Sequence, residues 1–106
     1  MDVAELVRKI ETMPNHVMCI AQFPSMEKAA ATLAKLSFVT TDSRGIHLPK
    51  HVLAAILRQD NSIVIGGTLS NQERDEILQL FGREGTISRV VPDPGREEQF
   101  LADLPR

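Results

Sequence analysis

Two stretches of this chain carry the same signals in the same order, 45 positions apart. Ile20, Ser25, Leu33, Thr41, Ser43, Arg44 and Pro49 recur as Ile65, Ser70, Leu78, Thr86, Ser88, Arg89 and Pro94. In each stretch an apolar run leads to a Ser helix opener, a helix, a second apolar run and a Pro-led segment. A repeat limits architecture before any motif does, because each copy is one supersecondary unit.

The residues between these landmarks fill in the elements. Val3, Leu6, Val7, Ile10 and Met13 make the stripe of an amphipathic helix with Asp2 as N-cap, and Pro14-Asn15 stops it. Val17 to Ala21 lacks polar alternation, as a strand buried on both faces does. Ser25 opens a second helix that buries Ala29, Ala30, Leu33 and Leu36. Phe38 to Thr41 resumes strand character, Asp42-Ser43-Arg44-Gly45 reads as a turn, and Ile46 to Leu48 extends beyond it. Pro49 suits the first position of a third helix with Val52, Leu53, Ile56 and Leu57 inward. Ser62 to Ile65 is a buried strand closed by Gly66-Gly67. Ser70-Asn71-Gln72-Glu73 is a capping box, and its helix stops at Gly82. Thr86 to Val91 is a fourth strand, and Asp93-Pro94-Gly95 opens a last short helix.

Strands alternating with helices predict an α/β fold, with a small parallel or mixed sheet covered by helices. Two βαβα-like units, 16–59 and 60–106, follow an N-terminal helix at 2–13, and residues 1–106 form a single domain. A hairpin at Asp42 to Gly45 would add an antiparallel strand, which makes an α+β sandwich the alternative.

Composition narrows the partners. The chain has 106 residues, 42% of them apolar and 25% charged, within the usual range of globular proteins. Its net charge of −2 disfavours nucleic acid, whose binders carry a basic excess. Four Phe with no Trp or Tyr leave little material for stacking bases or sugars. No apolar run approaches the roughly 18 residues of a membrane span, so no membrane partner is expected. The N-terminus lacks the features of a signal peptide, and Cys19 stands alone, which fits a reducing cytoplasm.

The candidate ligand site is the junction formed by Gly66, Gly67, Thr68, Ser70 and Asn71. A strand that ends in glycines and runs into a helix N-terminus offers free amides and the positive end of a helix dipole to an anion. The stretch has neither G-x-G-x-x-G spacing nor a Gly-Lys-Ser/Thr ending. Arg44 and Arg89 stand at equivalent places in the two units and could supply cationic partners. His47 and His51 are separated by Pro49 and share no helical face, so no metal site is expected. Cys19 reads as a core residue. Ser25 and Ser70 are explained as caps, outside any G-x-S-x-G elbow. No catalytic set and no cofactor are implied.

Residues 25–48 run in the order helix (26–36), strand (38–41), basic turn and returning strand, which resembles the recognition helix and wing of winged-helix DNA-binding domains. The resemblance implies that helix 26–36 enters the major groove and that Arg44 touches phosphate. It also requires a helix before Phe23, where Val17 to Ala21 reads as strand. Asp42 to Ile65 is similar to a segment of the swapped-hairpin transcription regulators, through Ser43-Arg44-Gly45 followed by Leu48-Pro49-Lys50.

Three functions follow from these readings. The first is a small cytoplasmic, non-enzymatic module that binds another protein, as inhibitors, immunity proteins, adaptors and assembly factors do. The second is a winged-helix-like DNA-binding regulator using 25–48. The third is a phosphate or small-ligand domain using the 66–71 loop.

Overall fold

The structure, a computed structural model, describes residues 2–92. Side-chain caps set where its helices begin. The Asp2 carboxylate accepts the Glu5 amide at 3.0 Å and starts α1 (Val3–Glu11). Ser25 accepts the Lys28 amide at 3.1 Å and starts α2 (Met26–Ala34). Ser70 and Glu73 form a complete capping box ahead of α3 (Asn71–Glu84). Between them lie strands β1 (Val17–Gln22), β2 (Thr40–Asp42), β3 (Gly45–His47), β4 (Val52–Leu57), β5 (Ser62–Gly67) and β6 (Thr86–Val91).

Four strands form one sheet in the order β4-β5-β1-β6, and every neighbouring pair is antiparallel. Strands β1 and β4 therefore run parallel to each other with β5 between them, and α2 lies in the connection that joins them. In the same way β5 and β6 run parallel with β1 between them, joined through α3. Two split βαβ units interlock in this way, which is the ferredoxin-like topology. Strands β2 and β3 form a separate two-stranded hairpin inserted between α2 and β4.

Period-two alternation divides the sheet residues between two apolar layers. Cys19, Ala21, Ile63, Ile65 and Val52 face the side on which α2 and α3 contribute Ala29, Leu33, Ile77, Leu80 and Phe81. Phe23 and Phe81 meet edge to face there, with centroids 5.4 Å apart. Met18 and Val64 face the other side, where Leu6 and Ile10 of α1 cover them. The strands read as unbroken apolar runs because helices lie on both faces. Such runs are usual in parallel sheets, and an antiparallel sheet acquires them here through α1.

The parallel or mixed sheet is thus overturned: the fold is α+β, with a four-stranded antiparallel sheet and a two-stranded hairpin. The decisive difference lies at 52–57. Val52-Leu53-Ala54-Ala55-Ile56-Leu57 is apolar throughout, so its spacing fits a helix and a strand equally well, and Pro49 favours the helix. It is strand β4, turned back onto β5 through residues 58–61, where Asn61 takes a positive φ of 59°. Gly82 is no helix stop, because α3 continues through Glu84 and ends at Gly85. The helix expected from Asp93 lies outside the described residues.

The 45-residue offset matches β1 to β5 and α2 to α3, which are topologically equivalent. Beyond α2 it compares the inserted hairpin with β6, so Thr41/Thr86 and Arg44/Arg89 are not equivalent places. Strands from the first and second halves of the described chain alternate within one sheet, in the order β4-β5-β1-β6. Among the described residues, no helix is long and apolar enough to cross a membrane.

Candidate functional site

Within the 66–71 junction the Thr68 and Ser70 side chains and the Leu69 and Ser70 amides find partners in the chain itself. Gly66 and Gly67 are buried. A Cβ on Gly66 would lie 2.5 Å from the Val17 carbonyl oxygen and 3.0 Å from Ile10 Cγ2, so glycine here lets α1 settle onto the sheet. Gly67 has φ +144°, and a Cβ there would collide with the His51 carbonyl oxygen. The Thr68 hydroxyl donates to the Pro14 carbonyl at 2.8 Å. Ser70 Oγ accepts the Glu73 amide, while Glu73 Oε1 accepts the Ser70 amide at 2.8 Å. The Glu73 carboxylate therefore takes the cap amide, one of the donors that the N-terminus of α3 presents.

Glu73 also ties this helix to the start of β4, with its Oε2 2.8 Å from His51 Nε2. Burial acts to raise the Glu73 pKa, but the Ser70 amide and His51 together bring it below the ordinary carboxylate value. Sequence reading missed this pair. His51 and Glu73 are 22 residues apart, and the contact exists only because β4 is a strand beside β5.

Arg44 and Arg89 do not join the junction. Arg89 stands on edge strand β6 opposite Ile20 of β1 and is exposed. Arg44 sits in the turn of the β2–β3 hairpin, where its amide donates to Asp42 Oδ1 at 2.7 Å. His47 Nε2 lies 2.9 Å from the same oxygen. The His47 hydrogen bond first, and then the Arg44 amide, hold the Asp42 carboxyl below its ordinary pKa. The turn is thus organised by its own side chains.

That hairpin is the most exposed regular structure in the described chain. All six residues of β2 and β3 are exposed, and Ile46 is the one exposed large hydrophobic among the described residues. Three cross-strand pairs, Thr40–His47, Thr41–Ile46 and Asp42–Gly45, hold it together. Its turn was legible as Asp42-Ser43-Arg44-Gly45. Its separation from the main sheet was not.

A cleft of about 420 Å³ opens between the end of β1 and the α3–β6 junction, lined by Gln22, Phe23, Arg83, Glu84 and Thr86 among others. Its acid is engaged: Glu84 pairs with Lys28 and, at 3.6 Å, with Lys35. Among the described residues no three His, Cys, Asp or Glu side chains gather as a metal site would need. His16, His47 and His51 approach Met13, Asp42 and Glu73 respectively and do not converge. Burial pushes the Cys19 thiol up to about 12, so it carries almost no thiolate at neutral pH.

Residues 17–22 are strand β1, in the interior of the sheet, where a winged-helix domain needs a helix before its recognition helix. Compared with protein-family models, with curated proteins and with solved structures, the chain matches none.

Proposed function

We propose that this chain is a non-enzymatic binding module that recognises another protein through the β2–β3 hairpin. The observation that carries the reading is the isolation of that hairpin. An isolated two-stranded hairpin is marginal at best in water, and this one exposes Ile46 beside Arg44 and His47. An apolar residue ringed by polar and basic groups is the usual make-up of a small contact surface. The rest of the described chain supports the same reading, since its caps, cleft acid and histidines are engaged internally. The buried, unpaired Cys19 suits a reducing compartment such as the cytoplasm.

The test is affinity capture with the full chain and with Ile46→Asp, whose folding is checked by circular dichroism and melting temperature. The expected result is one protein retained at a stoichiometric ratio by the wild type and lost from a folded variant. Equal retention by both would refute the hairpin as the surface. Binding to duplex DNA at low salt would redirect the reading, because electrostatic affinity is greatest there.

A further inference from the structure

The two edges of the main sheet differ in how they are built. At one edge β6 is interrupted: Ile20 pairs with Arg89 and Ala21 with Ile87, which leaves Ser88 as a bulge. It also carries exposed Thr86, Ser88 and Arg89. Bulges and charges of this kind are the devices that keep an edge from pairing with another strand. At the other edge β4 has none of them. It contains no charge, proline or glycine, and it pairs with β5 in unbroken register from Val52 to Leu57. Leu53 to Leu57 are all half-buried, so each sheet face continues to this edge with apolar side chains.

We propose that β4 pairs antiparallel with β4 of a second copy of this chain, joining two sheets into one of eight strands. An antiparallel edge is complementary to itself about a two-fold axis normal to the sheet, which a closed homodimer requires. Directly opposed residues in such a pair share a face, so the axis must pass beside a residue that meets its own counterpart. Two central registers are available. With Ala54 on the axis, Val52 of one copy opposes Ile56 of the other, but Val52 is already buried within its own chain. With Ala55 on the axis, half-buried Leu53 opposes half-buried Leu57 instead.

The Ala55 register also pairs side chains well. Leu53 meets Leu57 on the α1 face, and Ala54 meets Ile56 on the α2–α3 face, large against large and small against large. The Ala55 register is selected because it covers side chains that the single chain leaves half-buried. The surface is distinct from the hairpin of the proposed function, and the dimer stands or falls independently of that reading.

The experiment is sedimentation of the full chain across a concentration series, together with oxidative crosslinking of Ala55→Cys and Ala54→Cys. Cys19 is buried and does not compete for the crosslink. The wild type is expected to rise from the mass of one chain towards that of two, and Ala55→Lys to remain monomeric while folded. Ala55→Cys is expected to yield the covalent dimer in far greater amount than Ala54→Cys. A wild type that stays monomeric at every concentration would overturn the proposal. A dimer abolished by Ile46→Asp and uncrosslinked by Ala55→Cys would overturn it too, by moving self-association to the hairpin. Crosslinking through Ala54→Cys alone would overturn the register.

Discussion

Glu73 shows how one residue can answer for several sequence signals at once. It completes the capping box with Ser70 and reaches His51 across the sheet. Losing the cap by Ser70→Ala should cost about 0.5–2 kcal/mol, measured by urea unfolding. The pH dependence follows from the lowered Glu73 pKa. Its stabilisation is fully present above the unfolded carboxylate value and is lost as pH falls through the folded one. The stability gap between wild type and Glu73→Gln should therefore narrow on acidification from neutral pH. A gap that widened would contradict this. Glycines divide at the same scale. Gly82 is exposed inside α3, and a Cβ there meets only Ile87 Cδ1 at an ordinary 3.6 Å. Gly82→Ala should stabilise the fold by about 0.5–1 kcal/mol, whereas Gly67→Ala should destabilise it through both φ and the His51 carbonyl. Melting temperatures of the two variants should move in opposite directions. The cap residues were legible in the sequence because a cap bonds only two or three residues away. His51–Glu73 was not, since no local pattern encodes a contact set by strand pairing.

Elements with one buried stripe or a local cap were readable from the sequence, as were the short apolar runs of β1 and β5. The apolar run of β4, which follows a proline, was not. Helix α1 carries a clear stripe through Leu6 and Ile10, and these are the residues it buries. Strand β6 occupies Thr86–Val91, the range its β-branched residues imply. In contrast, β4 is apolar on every side, so periodicity carried no information and proline chemistry decided wrongly. The same uniformity that hid β4 gives an edge strand without charge, proline or glycine. The hairpin lies at the opposite extreme: it buries nothing, and its turn residues alone announce it. It bridges α2 and β4 without joining the main sheet. Replacing residues 40–47 with a short flexible linker should therefore leave the main fold intact, because loop closure costs little at such lengths. Far-UV dichroism and a cooperative melt check that outcome. Collapse of the cooperative transition would show the hairpin to be structural rather than an appended arm.

For the molecule as a whole, α1, α2, α3 and strands β1, β5 and β6 were legible, but strand β4, which reads as a helix, and the pairing of the strands were not. The alternation βαβ fits a parallel sheet and a split antiparallel one equally, because in both the joined strands run parallel. What distinguishes them is whether another strand comes between, and β5 and β1 do so here. Among the described residues, the interlocking leaves β6 as a bulged edge, β4 as an edge paired on one side and one hairpin outside the sheet. The strands of the hairpin contribute no side chain to either apolar cluster of the described residues. The direct measurement is site-specific photocrosslinking from position 46 in cells, with position 11 on the exposed end of α1 as control. A single dominant adduct with one other protein, formed from position 46 and absent from position 11, is the result predicted. No adduct at 46, or the same adducts from both positions, would contradict the hairpin as the recognition surface.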